Sequence, residues 1–426
     1  MSSFLFTAWD GGGAVVPTLS LARALVERGH DVRVLGDPVL VPEIEAAGAQ
    51  PIPWTRTPHR TERTAESDLF KDWEARTPAG AFARLRDRLM FGRAADVARD
   101  VIDELGRRPA DAIVTEAVLA GALVAGEASG VPVALIHTTI DAFPAEGRPP
   151  LGPGFQPATG SLGRLRDRAV GRAARAAWNR GLPALNAARA ELGLPAVEDA
   201  FASLTAADRI LVLTSDAFDY PGLPRHPKVK VVGPRLDDPA WVGPTEVPEG
   251  SDPLVLVGLS SSHQGQDGVL RRTAAALGTL PVRGLVTCGP AVEPFPAAGN
   301  VRVVRSAPHA AILPHTDAVI THGGHGTVIK GLAAGVPLVV LPMGRDQLDV
   351  AARVTACGAG VRVRRSASPA KIAAAVREVL DDPSYRAAAR RMAEAIAKET
   401  REDRAAAELE ALAHTARRQR SAATTG

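Results

Sequence analysis

The chain has 426 residues, 46% hydrophobic and 23% charged, which excludes a disordered protein and predicts two or three globular units. Fifty Lys and Arg residues against 47 Asp and Glu leave a net charge of +3. Because no basic block precedes the Arg-rich C-terminal end, we expect no nucleic-acid partner. Two cysteines, Cys288 and Cys357, are too few for a disulfide scaffold or a cysteine zinc site.

The N-terminal segment, MSSFLFTAWD, lacks the basic and apolar stretches of a signal peptide. The longest apolar run, residues 117–126, stops at Glu127 and is shorter than the roughly 18 residues that a membrane helix needs. We therefore expect a cytoplasmic protein without membrane insertion.

Short β-rich runs alternate with longer helical patterns, which is typical of parallel α/β units. A strand at 4–9 leads through the glycine turn Gly11–Gly13 into a helix that Pro17 opens. The same alternation predicts four further strands, at 32–35, 112–115, 133–137 and 210–214, and, between the last two, a long Pro/Gly-rich loop at 143–160. A loop of that length in an α/β domain is usually functional.

Residues 236–253 are rich in Pro, Gly and acids without periodicity, and predict an interdomain linker. We expect Asp237 and Asp238 to be solvated there. A second strand series begins at residue 254. In open α/β sheets, ligands bind beyond the carboxyl ends of the strands, so the cleft between the halves is the expected active site.

The sequence thus predicts an α/β fold of two Rossmann-like parallel-sheet domains that face each other across a cleft. The N-terminal domain, residues 1–235, would bind the acceptor, and residues 254–395 would bind the donor. A helix at 396–413 would pack back toward the N-terminal domain, and residues 414–426 would form a flexible tail.

The most informative segment is the glycine-rich turn that follows the predicted strand at 318–321. Glycines there let the main chain approach a ligand, and the free N–H groups at the start of the next helix favour phosphate oxygens. His322 and Thr327 add side-chain donors. The alternative interpretation of such a turn is a tight connection without a ligand.

This segment resembles the donor-binding motif of the inverting, nucleotide-sugar-dependent glycosyltransferases of the two-Rossmann (GT-B), family 1 type. More narrowly, it is similar to the bacterial macrolide and antibiotic glycosyltransferases, relatives of the UDP-glycosyltransferases. The family pattern of His-Gly-Gly-x-Gly-Thr, Gly-Val-Pro, a strand ending in Pro, and Asp-Gln occurs in order at 322–327, 335–337, 342 and 346–347. The similarity extends over essentially the whole chain.

The resemblance implies roles in binding the donor. His322 and the main chain around Gly324 would hold the diphosphate, and Thr327 a β-phosphate oxygen. Asp346 and Gln347 would bind hexose hydroxyls, with a helix cap and a solvated amide as the alternative. The other donor-binding positions implied by the motif and its neighbours are Ser261, Ser262, His309, Gly323, His325 and Gly326.

The nucleotide is left open between UDP and dTDP. Lys330 stands where many UDP-sugar users have a glutamate that binds both ribose hydroxyls. A lysine can reach a phosphate or ribose oxygen but cannot accept hydrogen bonds from two hydroxyls, which weakens the case for UDP.

The catalytic base is the position at which the chain departs from the family. The usual histidine falls on Ala14, and the carboxylate that orients it corresponds to Glu116. Asp10, Glu116 and His137 are therefore the candidate bases, with Asp141 as a fourth. Two alternatives remain open: an acceptor acidic enough to need little help, or an auxiliary, non-catalytic sugar-nucleotide-binding partner of another transferase. A sugar-nucleotide epimerase on the same fold is a further alternative.

The acceptor is expected against the N-terminal half, with the segments 53–89 and 143–162 as walls. Aromatic residues are concentrated in and near these segments, which suits a hydrophobic small molecule, although core packing would explain them equally well. The predicted acceptor-binding residues are Trp9, Gly12, Gly13, Trp73, Phe82 and Phe143; Trp54, Phe70 and Phe91 belong to the same aromatic set.

We therefore expect an inverting hexosyltransferase that uses a UDP- or dTDP-sugar and a hydrophobic, aromatic or polyketide-like natural-product acceptor. No metal or other cofactor is expected, because the cleft-facing turns contain neither an Asp-x-Asp pair nor a His/carboxylate cluster. A homodimer is left open.

Overall fold

The structure is a computed structural model that describes residues 1–290 and 292–424. It contains two α/β halves, each built on a wholly parallel sheet. The strands of the first half are β1 (Ser3–Ala8), β2 (Asp31–Gly36), β3 (Gln50–Pro53), β4 (Ala112–Glu116), β5 (Val133–His137), β6 (Arg209–Val212) and β7 (Val229–Val231). Those of the second half are β8 (Leu254–Gly258), β9 (Arg283–Thr287), β10 (Val301–Val304), β11 (Ala318–Thr321), β12 (Leu338–Val340) and β13 (Gly360–Arg362).

The strand order is β3-β2-β1-β4-β5-β6-β7 in the first sheet and β10-β9-β8-β11-β12-β13 in the second. In both sheets the order reverses beside the first strand, so that the loops after β1 and β4, and those after β8 and β11, open into a crevice. The predicted fold class, two Rossmann-like parallel-sheet domains across a cleft, is confirmed.

Helices cover both faces of each sheet. Those of the first half are α1 (Val15–Glu27), α2 (Val41–Ala46), α3 (Pro78–Arg84), α4 (Ala94–Arg107), α5 (Ala120–Ser129), α6 (Ser161–Asn179), α7 (Leu182–Glu191) and α8 (Ala200–Thr205). Those that follow are α9 (Asp267–Leu277), α10 (His309–Ile312), α11 (His325–Ala333), α12 (Gln347–Ala356), α13 (Pro369–Asp381), α14 (Pro383–Thr400) and α15 (Arg404–Thr424).

The alternating side chains of β1 explain why both faces are covered. Leu5 lies in a buried cluster with residues of α4 and α5, whereas Phe4 and Phe6 point to the opposite face and pack with α1 and α15. Successive side chains of a strand point to opposite faces, so a strand that is apolar throughout must be covered on both.

The last helix, α15, packs on the N-terminal half. Its residue Leu409 is fully buried in the cluster that contains Phe4 and Phe6, and Glu410 pairs with Arg28 at 3.0 Å. The helix continues to Thr424, through most of the segment predicted as a tail; residues 425 and 426 lie outside the described part of the chain.

The linker is anchored to both halves, and the expectation that Asp237 and Asp238 are merely solvated is wrong. Asp237 accepts hydrogen bonds from Ser20 and Arg23 of α1. Asp238 accepts from the main-chain N–H of Ala310 at 2.9 Å and from Lys330 Nζ at 2.6 Å.

No helix within residues 1–290 and 292–424 is long and apolar enough to span a bilayer. Most of the apolar run at 117–126 lies in α5, and the residues from Ala120 to Gly126 are buried there.

Candidate active site

The carboxyl ends of both sheets face one cleft of about 1990 Å³. Most of the predicted site residues line it, from both halves of the chain: Trp9, Gly13, Trp73, Phe82, Glu116, His137, Asp141, Phe143, Ser261, Ser262, His309, His322, Gly324, His325, Gly326, Thr327, Asp346 and Gln347. The predicted positions Asp10, Gly12 and Gly323 do not line it directly.

The turn after β11 brings the main chain into this cleft. Gly323 has φ +90°, and a Cβ there would lie 2.9 Å from Val340 Cγ1 and 3.1 Å from the carbonyl oxygen of Gln347. Only glycine fits both the left-handed conformation and the space. The turn can therefore lie directly against β12 and α12.

The helix that follows begins without a side-chain cap at Gly324. The first main-chain N–H groups of an α-helix have no intrahelical partner, and the helix dipole adds partial positive charge there. Since Gly324, Gly326 and Thr327 all line the cleft, this end of α11 is suited to an anion such as a diphosphate.

His322 is 7% exposed, and its Nδ1 atom has no partner among the described residues. Burial, followed by the charge of Arg345, lowers the pKa of this imidazole to about 3, while the polar main chain of Gly258 opposes the shift. The ring is therefore neutral at pH 7. Its unpartnered nitrogen is a polar atom that a ligand can satisfy.

The neighbouring histidine of the turn has a different environment. His325 Nε2 lies 2.8 Å from the Thr214 hydroxyl, at the end of the N-terminal sheet. Burial lowers the pKa of His325 to about 3. Its side chain therefore joins the two halves of the chain.

The loop after β8 lies beside this turn. Ser260 and Ser262 hydroxyls are 3.1 Å apart, and Gln264 donates to Ser260 at 2.8 Å. Across the cleft, Gly12 has φ +76°, and a Cβ there would lie 3.1 Å from Ser261 Oγ. Gly12 thus permits the close approach of the two loops rather than lining the acceptor space.

The Asp346-Gln347 pair at the start of α12 is already bonded to the protein. Gln347 Oε1 accepts from the N–H groups of Met343 at 2.7 Å and Gly344 at 3.0 Å, and its Nε2 donates to Gln264 at 2.9 Å. One amide N–H is left for a ligand. Asp346 accepts a hydrogen bond from the Thr139 hydroxyl of the opposite half.

Lys330 and His309 lie together in the cleft. Lys330 is paired with Asp238, so its charge is compensated within the protein. Burial, and then the charge of Lys330, lower the pKa of His309 to about 4. No local pattern around Lys330 indicates the Asp238 partner, which lies 92 residues away.

The four candidate bases differ sharply in their surroundings. The Asp10 carboxylate accepts hydrogen bonds from Arg60 at 2.9 Å and from Arg63 at 3.3 Å. These two arginines compensate its charge, and Asp10 does not line the cleft. Asp141 is buried and lies 3.3 Å from Arg148. These two arrangements hold carboxylates in ion pairs and do not present a free base.

Buried Glu116 and half-buried His137 both line the cleft. Among the described residues no charged group acts on Glu116, whereas the Asp346 carboxylate acts on His137 and opposes the lowering of its pKa. Burial raises the pKa of Glu116 to about 7, although the Thr18 hydroxyl donates to it at 2.9 Å. Burial lowers the pKa of His137 to about 4. At neutral pH, Glu116 matches the requirement that a base have a pKa near the working pH better than His137 does.

The aromatic residues divide between the core and the cleft wall. Trp54 and Phe91 are 2% and 1% exposed and belong to the core, so the alternative of core packing holds for these two. Trp73 packs edge-on against His263 of the other half at 4.6 Å. Phe82 packs against Trp178 at 4.5 Å, a cleft residue that the Ala/Arg-rich pattern of α6 gave no reason to select.

Three comparisons relate this geometry to known proteins. Residues 288–412 match the family described as "Erythromycin biosynthesis protein CIII-like, C-terminal domain". The 4'-demethylrebeccamycin synthase of Lentzea aerocolonigenes is 35% identical over 400 residues, which cover 91% of this chain and 94% of that protein.

Solved structures share the fold over nearly the whole chain. The glycosyltransferase of kitacinnamycin superimposes with a TM-score of 0.76 at 22% identity, covering 96% of this chain and 99% of that one. The glycosyltransferase VinC, in complex with dTDP, gives a TM-score of 0.64 at 19% identity and covers 97% and 100%.

A pair of glycine substitutions tests the geometry of the turn. Gly323→Ala should lower the free energy of unfolding by about 2 kcal/mol or more, because it adds left-handed strain to a steric clash. Gly326→Ala meets no atom within 4 Å and should leave that free energy unchanged or raise it by about 0.5 kcal/mol. Urea denaturation measures both, and equal effects would contradict the described turn.

Proposed function

The chain belongs to the macrolide and antibiotic glycosyltransferases of the GT-B, family 1 type, and from that premise we propose the reaction that it catalyses. The proposed reaction is the transfer of a hexose, with inversion, from a dTDP- or UDP-sugar to a hydrophobic natural-product acceptor of aromatic or polyketide-like character. The observation that supports it most directly is the uncapped start of α11 inside the cleft.

The donor side of the proposal follows from the polar groups around that helix end. The main-chain N–H groups at the start of α11, with the Thr327 hydroxyl, would bind the diphosphate, and His322 Nδ1 would face it. The Ser261 hydroxyl, which lies beside Gly12 of the other half, would add a further donor. The dTDP bound in the VinC structure supports a nucleoside diphosphate as the ligand class.

In the proposed chemical step, Glu116 is the general base. An acceptor O–H or N–H attacks the anomeric carbon from the face opposite the diphosphate, and its proton passes to the Glu116 carboxylate. The bond between the anomeric carbon and the diphosphate oxygen breaks, and its electron pair stays on the diphosphate. Attack from the opposite face inverts the anomeric centre. We propose that this step needs no metal ion.

The acceptor side is the apolar wall of the N-terminal half. Trp9 lines the cleft, and its indole N–H lies beside the Glu116 carboxylate, where it opposes the rise of the Glu116 pKa. Phe82 and Phe143 line the same space, and Phe143 packs against His137 at 5.8 Å. Flat apolar side chains with a few polar groups suit an aromatic small molecule.

Nucleotide binding can be measured without knowing the acceptor. We expect dTDP or UDP, in a thermal-shift panel with GDP and with EDTA present, to stabilise the protein. Ligand at about 100 times its dissociation constant adds about 2.7 kcal/mol of stability. Thymidine and uridine should give much smaller shifts, because they lack the phosphates that α11 would bind. The absence of a shift with all three diphosphates would contradict the proposal.

Substitution of the base tests the chemical step. Glu116→Gln should lower kcat by about 100-fold, within the range typical of general-base catalysis, while dTDP or UDP affinity stays unchanged. Because the pKa of Glu116 is raised to about 7, wild-type kcat/KM should fall as the pH drops below 7, when the base becomes protonated. This dependence should disappear in the variant. A large loss in His137→Gln, with Glu116→Gln active, would assign the base to His137 instead.

A further inference from the structure

Two loops from opposite halves of the chain are joined across the mouth of the donor site. Arg345 Nε donates to Asp72 Oδ2 at 2.7 Å, and its Nη2 lies 3.3 Å from Oδ1. The guanidinium also lies 5.2 Å from the ring centre of Phe70. We refer to Phe70–Trp73 together with Arg345 as the interdomain clasp.

The backbone on both sides of the clasp has an unusual conformation. Lys71 has φ +46° and Arg345 has φ +55°. Within residues 1–290 and 292–424, these are the only non-glycine residues with a left-handed φ. Such a conformation is unfavourable for a residue with a side chain and persists only where surrounding contacts hold it. Its occurrence on both sides of one ion pair indicates that the contact is built into the site.

The clasp brings a guanidinium to the groups expected around the diphosphate. Arg345 Nη1 donates to Ser262 Oγ at 3.1 Å, and the charge of Arg345 acts on buried His322. Arg345 directly precedes Asp346 and lines the cleft. Its described bonds use three of the five guanidinium N–H groups, so two remain for a ligand.

The proposed reaction leaves negative charge on the diphosphate when the sugar departs. Main-chain N–H groups and neutral His322 supply only partial charges, and Lys330 is paired with Asp238. A guanidinium fits phosphate oxygens with two parallel N–H groups and stays charged at any working pH. Preorganised charge of this kind, aimed at the leaving group, stabilises the transition state more than the ground state.

On the basis of the proposed function, we propose that Arg345 binds the diphosphate of the nucleotide sugar and neutralises the charge that develops on it during transfer. Asp72 is a positioning residue: it holds the guanidinium against Ser262 and closes the N-terminal clasp segment over the bound donor. Arg345 takes no proton in the step, since the electron pair of the broken bond stays on the diphosphate and the acceptor proton goes to Glu116.

The test compares four variants with a matched control. The variants are Arg345→Gln, Arg345→Lys, Asp72→Asn and the double variant Arg345→Gln/Asp72→Asn. The control is Arg386→Gln, which also removes an arginine paired with an aspartate, Asp317 at 3.1 Å, but at a position that does not line the cleft. Calorimetric titration uses dTDP, UDP and the corresponding nucleosides as probes.

Arg345→Gln should weaken the affinity for the diphosphate at least tenfold and that for the nucleoside less than twofold, because only the diphosphate contacts the guanidinium. It should also lower kcat by about 100-fold, the size typical of removing one group that stabilises transition-state charge. Arg345→Lys keeps the charge and should recover part of both losses, which also covers a failure of the glutamine variant to fold.

Asp72→Asn should weaken diphosphate affinity about threefold to tenfold in the wild-type background and have no effect in the Arg345→Gln background, because Asp72 acts through Arg345. Additive effects would overturn the positioning role.

Diphosphate affinity in Arg345→Gln equal to that of Arg386→Gln would overturn the inference while leaving the proposed function intact. Loss of diphosphate affinity in the variant, with no sugar transfer by the wild type, would overturn the proposed function and the charge-neutralising role of Arg345, and would leave its role in binding the diphosphate intact. A wild type that binds neither dTDP nor UDP would overturn both.

Discussion

The helix α11 begins inside the cleft, and its first main-chain N–H groups have no hydrogen-bond acceptor within the helix. The groups around this helix end leave room for a ligand that accepts those hydrogen bonds. Gly323 lets the turn lie against β12 and α12, His322 has an unpartnered nitrogen, and Ser262 and Arg345 bond to each other beside it. The Lys330 ammonium is compensated by Asp238. The polar groups left open at this end of the cleft are thus mostly donors, and an anion is the ligand that satisfies them.

The two halves of the chain meet through the loops that surround this site. Gly12 lies against Ser261, Asp72 pairs with Arg345, and Thr214 bonds His325. Asp349 of α12 accepts from the main-chain N–H groups of Gly152 at 2.7 Å and Gly154 at 3.2 Å. The long Pro/Gly-rich loop of the N-terminal half is thereby attached to the helix that begins with the Asp346-Gln347 pair. The arrangement of the halves and the geometry of the site therefore depend on the same contacts.

The central strands could be predicted from the sequence because strands covered on both faces are continuous apolar runs, as in β1 and β8. Three strands could not be predicted from the local sequence pattern: β3, β7 and β13. Each lies at the edge of its sheet. They are short, and β3 contains two prolines, which a strand tolerates only where a missing main-chain donor does no harm. Whether such a short segment forms a strand depends on its position in the sheet rather than on its local sequence pattern.

The site could be predicted only as far as local patterns reach. The turn at His322 has its glycines and its helix in one stretch of sequence. In contrast, Asp10 is compensated by Arg60, 50 residues away, and Arg345 meets Asp72, 273 residues away. No sequence pattern close to Asp10 or Arg345 indicates these distant partners. The pKa of Glu116 depends on its burial in the folded chain, which is why a carboxylate at the end of a strand could not be ranked above Asp10 beforehand.

The most direct measurement of the central claim is a crystal structure of the protein with dTDP or UDP bound. We expect both phosphates to lie against residues 322–327, with phosphate oxygens in hydrogen-bond distance of the first N–H groups of α11. Density for the diphosphate at any other part of the cleft, with that helix end still unoccupied, would contradict the account.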